Sequence, residues 1–425
     1  MQTGARRLNE ITMFLLYNLL SAIALLLYSP WIFFKKGPDD HKQFILERFG
    51  MAAYEKADIW IHAVSVGEVI AALPFLKVLK KSYPEKKLIL STTTYTGQKI
   101  AMEKFPEADR IMYMPADTWL CTRRPAAIIS PEIFASVETE LWPSLFCNLK
   151  NRGAKILVLN GRISENSYKG YLKIRYFMKR FFRVIDYFYM QGKEDTERIR
   201  EMGAENNQVG FMGNFKFDIA LPHTDRPLWI DLLPEKIILA ASTHQGEDEK
   251  ILEAFSLIKK DMPECGLIMV PRHPERFNQV EALITETKFS CLRKSGITNE
   301  SPITDVILLD TMGELSGLFE HADIAFIGGS LVPAGGHNVL EPAYWSKPVI
   351  FGPHMENFPI AEEFIKQAAA VRITTPAGLA AVVIDLFNDK SQTSEMGQRA
   401  RAIVDKNKGA INKAMTLMRK YLGTA

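Results

Sequence analysis

The chain is poor in the features that mark several large functional classes. Its four cysteines, Cys121, Cys147, Cys265 and Cys291, lie far apart with no CxxC pair. That spacing fits neither a zinc site nor a disulfide framework, and reads as isolated thiols in a reducing compartment. Net charge is only +3 over 425 residues, too mild for a dedicated nucleic-acid binder, though compatible with anionic small molecules or a lipid surface. There is no internal repeat and no low-complexity tract. HExxH, GxSxG, DxD, GxGxxG and GxxxxGK[ST] are all missing, which withdraws support from zinc proteases, serine hydrolases, metal-dependent transferases, NAD enzymes and P-loop ATPases. The eight histidines show no ligand spacing, so no metal and no cofactor is expected.

Hydrophobic patterning is abundant. Residues 11–34 carry no charge, and 24 residues at about 1.5 Å each suffice for a hydrocarbon core of ~30 Å. Thirteen of them are Leu, Ile or Phe, favouring insertion by about 6 kcal/mol against a smaller cost from Thr12, Asn18, Ser21 and Ser29. KKGPDD follows the run instead of a small-residue cleavage site, so a retained anchor is expected over residues 1–36, with an in-plane helix as the alternative. The lysine and arginine distribution leans to a cytoplasmic body.

Beyond the anchor, short β-branched runs alternate with helical stretches in two series, at 59–191 and 236–374. This is the signature of βαβ units on parallel sheets, hence an α/β protein of two Rossmann-like domains. Residues 217–234 hold three prolines and read as the connection. The expected domains are 37–220 and 221–425, the last helix being a candidate to return to the first.

In such sheets ligands bind beyond the carboxyl ends of the strands. HAVSVGEV (62–69) ends a strand and opens a helix through Ser65 and Gly67, which puts Glu68 in the first turn. There it is either a base or an acid matched to the helix dipole, worth about 0.3–1 kcal/mol. SVETELWP (136–143) places Glu138 and Glu140 on one side if extended, with a capping role equally open. STHQGEDEK (242–250) offers Ser242 and Thr243 to an anion, while its acidic triplet reads as solvated and dipole-matched. PRHPER sets Arg272 and His273 after a strand, suited to a phosphate. The amides around Gly313 in DTMGEL are a further phosphate candidate. GGSLVPAGGHNVLEPAYW (328–345) spends four glycines before a helix, costly unless something approaches the backbone. Gly336 and His337 are therefore candidate ligand contacts, and Glu341, one turn on, can accept two ribose hydroxyls.

Together HAVSVGE, ETELWP, NGRIS, GNFKFD, PRHPER, DTMGEL and GGHNVLEP, behind an apolar N-terminus, resemble the 3-deoxy-D-manno-octulosonic acid (Kdo) transferases of glycosyltransferase family 30. The likeness covers nearly the whole chain. It implies a GT-B fold facing a central cleft, CMP-Kdo as donor, a lipid A precursor as acceptor, and inversion without a required metal. It also implies Glu68 as general base, with Glu138 and Lys216 stabilising the transition state. Nucleotide contacts are implied at Pro271 and Arg272, at Met312, Gly313 and Glu314, and at Asn338, Val339, Leu340 and Glu341. Acceptor-side candidates are Ser65, Gly67, Glu140 and Arg162. Gly161 and Val339 depart mildly from the family motifs without removing a side-chain function. The implied partners are CMP-Kdo, the lipid A precursor and inner-membrane lipid, with the body on the cytoplasmic side. The basic, aromatic stretch from Lys169 to Arg183 suits lipid phosphates or a solvated helix face. From the loops alone, a UDP-sugar transferase or a membrane-tethered, non-catalytic two-lobed binding protein stays open.

Overall fold

The structure, a computed structural model, describes residues 14–27, 29–30, 40–218 and 221–423. The chain divides into two compact units after Asp218 and returns to the first at Asn407. Each unit carries one seven-stranded, wholly parallel sheet.

In the first unit the strands are β1 (Ile59–His62), β2 (Leu88–Thr92), β3 (Arg110–Tyr113), β4 (Ile133–Val137), β5 (Lys155–Gly161), β6 (Tyr187–Met190) and β7 (Val209–Phe211), in the order β3-β2-β1-β4-β5-β6-β7. Every residue of β1, β2 and β4 is buried, as expected where helices cover both faces of a parallel sheet. Alternation splits the strand residues between two cores. Trp60, Phe134 and Val158 enter one; Ile61, Ala135 and Leu157 enter the other. The C-terminal helix Ala410–Leu422 lays Ala414, Met415 and Met418 into that second core. It is pinned there because the Asp218 carboxylate accepts the Gly409 and Ile411 N–H groups.

The second unit contains β8 (Lys236–Thr243), β9 (Cys265–Pro271), β10 (Cys291–Arg293), β11 (Val306–Leu308), β12 (Ile324–Ile327), β13 (Val349–Phe351) and β14 (Ala370–Arg372), ordered β10-β11-β9-β8-β12-β13-β14. Strand order reverses between β1 and β4 in one sheet and between β8 and β12 in the other. Those reversals are the switch points at which open α/β sheets bind ligands. β7 and β10 escape a reading of the sequence because three residues at a sheet edge show no hydrophobic run.

No helix among the described residues is long and apolar enough to cross a membrane. Residues 1–13, 28 and 31–36 of the expected anchor lie outside the described residues. The described part, 14–27, is helical and docked on the first unit. Tyr17 donates to Asp117 at 2.7 Å, and Asn18 Oδ1 accepts the Trp119 N–H at 2.6 Å and the Ser144 hydroxyl at 3.0 Å. Asn18, a cost in a spanning helix, is here a fastening.

Candidate functional site

At the first switch point the loop after β1 carries Glu68 and the loop after β4 carries Glu138 and Glu140. Ser65 begins the helix Val66–Ser82, and Gly67 is exposed in its first turn. The Glu68 carboxylate turns back to accept the Val64 N–H at 2.7 Å and the Ser65 hydroxyl at 3.1 Å. It is half-buried. Burial pushes it up to about 7, with Glu138 and Glu140 adding to the rise and the bond from Val64 opposing it. Glu138 and Glu140 are themselves raised, each chiefly by burial. Glu138 has φ 61°, so the segment turns and does not run extended; its N–H donates to Leu159 O at 2.8 Å, at the end of β5.

The charges of Lys216 and Arg162, both exposed, hold Glu138 down in part. Lys216 is positioned by a polar relay. Its N–H donates to Asn214 Oδ1 at 2.9 Å, Asn214 Nδ2 donates to Gln191 Oε1 at 2.8 Å, and Gln191 Nε2 donates to Asn160 O at 2.8 Å. Asn160, buried at φ 55°, also accepts the Phe215 N–H at 3.0 Å. Asn160 and Gln191 were invisible in the motifs, although the Asn in NGRIS is the one signal that an αL position was needed. His62 is a further residue the motifs did not single out. It is fully buried, edge-on to Trp142 at 5.4 Å, and burial lowers it to about 3. Its Nε2 has no hydrogen-bond partner.

At the second switch point Ser242, next to last in β8, has φ 57°. The Thr243 hydroxyl does not face a ligand: it donates to the buried Asp248 at 2.6 Å, and Asp248 pairs with the buried Arg276. Nor is the acidic triplet solvated. Glu247 is fully buried, and its carboxylate accepts N–H groups from His244 at 2.9 Å, Ser330 at 2.9 Å, Leu331 at 2.7 Å and Gly329. The glycine-rich loop thus has an amide nest already filled by the protein's own carboxylate. Packing also demands glycine at Gly336, at φ 71°, where a Cβ would stand 2.3 Å from Met355 Sδ. A ligand is therefore not the main reason for the glycines.

What remains open there is an imidazole and guanidinium group. His244 and His337 meet Nε2 to Nε2 at 2.7 Å with their rings stacked, and His273 lies edge-on to His244 at 5.4 Å. Sequence spacing concealed this gathering of three histidines. Burial lowers His337 to about 4 and also lowers His244, which favours the neutral form of each. Arg272, just beyond Pro271 at the end of β9, donates its N–H to Thr243 O at 3.0 Å and is exposed. Asn338 Oδ1 accepts the Leu340 N–H at 3.0 Å, at the start of the helix Leu340–Tyr344, and Asn338 Nδ2 donates to Glu341 at 3.1 Å. Glu341 is raised by burial, while Val339 is fully buried and presents no side chain. Met312 and Gly313 are exposed, and Glu314 pairs with Lys294 at 2.7 Å. Among the described residues, no three His, Cys, Asp or Glu side chains are grouped to hold a metal.

Residues 43–219 match the model of the 3-deoxy-D-manno-octulosonic-acid transferase (kdotransferase) family. The chain is 34% identical to the 3-deoxy-D-manno-octulosonic acid transferase of Haemophilus influenzae, over 90% of this chain and 92% of that one. The chain belongs to the Kdo transferase family. It is a glycosyltransferase, with a Kdo-transfer role in lipopolysaccharide synthesis. A bifunctional glycosyltransferase/methyltransferase of Fusobacterium nucleatum is also 34% identical, and the chain spans 60% of that longer protein. Among solved structures, a glycosyltransferase from Rickettsia africae superposes with a TM-score of 0.51 over 88% of this chain and 100% of that one, at 17% identity. That likeness shows the fold: two parallel-sheet α/β units as in GT-B glycosyltransferases.

Proposed function

We propose that the chain transfers Kdo from CMP-Kdo to a hydroxyl of the lipid A precursor by direct displacement, with Glu68 as general base. The observation that carries this reading is the Glu68 carboxylate at the first switch point, oriented by Val64 and Ser65 and raised to about 7 by burial beside two other acids. A base whose pKa sits near the working pH combines ionisation with proton affinity. The acceptor hydroxyl gives its proton to Glu68 as its oxygen bonds to the anomeric carbon; the carbon–phosphate ester bond breaks, and CMP departs with the electron pair. Positive charge on the sugar ring is favoured near Glu138, and Lys216 limits the cost of keeping that acid ionised. Negative charge on the leaving phosphate is favoured by Arg272 and by the one N–H that the imidazole pair keeps free once an Nε2–H is shared between the rings.

The first unit then serves the acceptor, with Ser65, Gly67, Glu140 and Arg162 around the base. The second serves the nucleotide, through Ser242, the Arg272 and His273 corner, Met312 to Glu314 and Gly336 to Glu341. No metal or cofactor enters the scheme. The exposed apolar face of helix 14–27 supports work at the inner membrane, on its cytoplasmic side, where the acceptor is embedded. Replacing Glu68 with Ala tests the assignment: transfer to the lipid A precursor, followed by mass spectrometry, drops ~10²- to 10⁴-fold while CMP still raises the melting temperature. Transfer within a few-fold of the parent removes Glu68 from its role. A larger stabilisation by UDP than by CMP overturns the donor.

A further inference from the structure

Residues 14–27 form a helical segment. The bonds of Tyr17 and Asn18 to Asp117, Trp119 and Ser144 lay it along the body of the first unit. Its outward face is uniformly apolar: Leu16, Leu19, Leu20, Ile23 and Leu27 are exposed, Leu27 by 79%. Beside it runs a groove of about 1010 Å³ between the helix and the segments Phe49–Met51 and Thr118–Arg124. Leu15, Ala22, Leu25, Leu26, Met51 and Leu120 are among its wall residues, and Leu120 is 76% exposed at the rim.

Two observations identify the occupant. The groove opens beside an amphipathic edge: the Arg123 guanidinium lies over the Trp119 ring at 4.8 Å, the pairing favoured where hydrocarbon meets headgroups. A second apolar groove, of about 340 Å³, begins at the same Phe14 and is rimmed by Lys150, Arg180 and Arg183. There Arg180 Nη1 is buried without a hydrogen-bond partner. Apolar channels edged by guanidinium groups complement a long hydrocarbon with an anionic head.

We propose that helix 14–27 lies in the membrane plane and that the larger groove takes an acyl chain of an anionic phospholipid, making bilayer lipid a structural element of the first unit. The proposal rests on the membrane-surface part of the preceding reading and is independent of the donor and of the base. Full-length protein is mixed with 3:1 phosphatidylethanolamine/phosphatidylglycerol vesicles in which the phosphatidylglycerol carries a photoactivatable diazirine in one acyl chain; sedimentation is measured, and cross-linked peptides are located by mass spectrometry. Labelling is expected at Leu25, Met51 and Leu120 as well as on the outward face. Ala22→Trp, which fills the groove, should reduce groove labelling at least about fivefold and leave labelling of Leu16, Leu19 and Leu20 in place; Leu120→Glu, at an exposed rim position, should reduce it similarly without touching the fold. Sedimentation with labels confined to the outward face overturns the acyl site alone, as does groove labelling unchanged by both variants, or seen only once the lipid A precursor is added. Failure to sediment overturns the membrane-surface reading and this proposal with it.

Discussion

The two switch points share a topology and oppose each other in charge. Beyond β1 and β4 three carboxylates crowd together, and their neighbours meet them incompletely: Lys216 and Arg162 act on Glu138 through space, whereas Glu68 is held only by Val64 and Ser65. Beyond β8 and β12 the acids are satisfied internally, Glu247 by four amides and Asp248 by Thr243 and Arg276. That leaves Arg272 and neutral imidazoles facing outward. One edge keeps an acid poised to take a proton, and the other keeps positive potential and N–H donors for an anion. The same parallel sheet therefore serves either chemistry, depending on which acids its loops neutralise.

The sharpest way to break this comparison is Glu247→Ala. It strands the buried N–H groups of Gly329, Ser330 and Leu331 and the half-buried one of His244, so the second unit should lose about 3–5 kcal/mol in urea denaturation, as for a buried charge removed from its partners, and nucleotide binding measured by calorimetry should vanish. A loss below 1 kcal/mol means the loop does not depend on its internal anion. Arg272→Ala should weaken CMP roughly 10- to 100-fold, the scale of a lost charged hydrogen bond of about 1.5–3 kcal/mol, with acceptor affinity unchanged. An acceptor effect as large as the nucleotide effect would end the division of labour between the units.

The acidic edge is tested by pH. A base with pKa about 7 must be deprotonated, so kcat/KM should climb about tenfold per pH unit below 7 and level above it. Glu140→Gln removes a neighbouring negative charge and should move that limb to lower pH by about half a unit; movement to higher pH contradicts the crowding. The smallest effect is on stability. Because the folded pKa of Glu68 exceeds its ordinary value of 4.5, the folded state binds the proton more tightly, and stability falls as pH rises from about 4.5 to about 7. Glu68→Gln should thus raise Tm at pH 8 by about 2–4 °C and change it little at pH 4.5, a difference scanning calorimetry resolves.

Much of the scaffold was legible because it follows period and punctuation. Runs such as KIILAAS and IFASVE are long, β-branched and bounded by turns, and the loops after them could be singled out because parallel strands aim their carboxyl ends at ligands. The partnering within the loops was not legible. Thr243 read as a ligand contact and proved to serve Asp248; the acids of HQGEDEK read as solvated and proved to fill the nest of a loop more than 80 residues away, Glu247 with Ser330 being 83 apart. For Glu68, spacing reports a place in a first turn and carries no information on what covers it.

Sequence alone determined the alternation of strands and helices, the positions of the loops at the sheet edges, the acids and bases available there, and the apolar N-terminal run, since each is written in residues that are neighbours along the chain. Only the tertiary structure decided that three histidines distant in the chain converge, that Glu247 is consumed internally while Glu68 stays poised, that the last helix returns to the first unit, and that Asn18 fastens helix 14–27 to Trp119 and Ser144. The physical reason is common to all four. A side chain's type is local, but its solvation and its partners are set by contacts between residues far apart in sequence, and those exist only once strand order has brought the loops together.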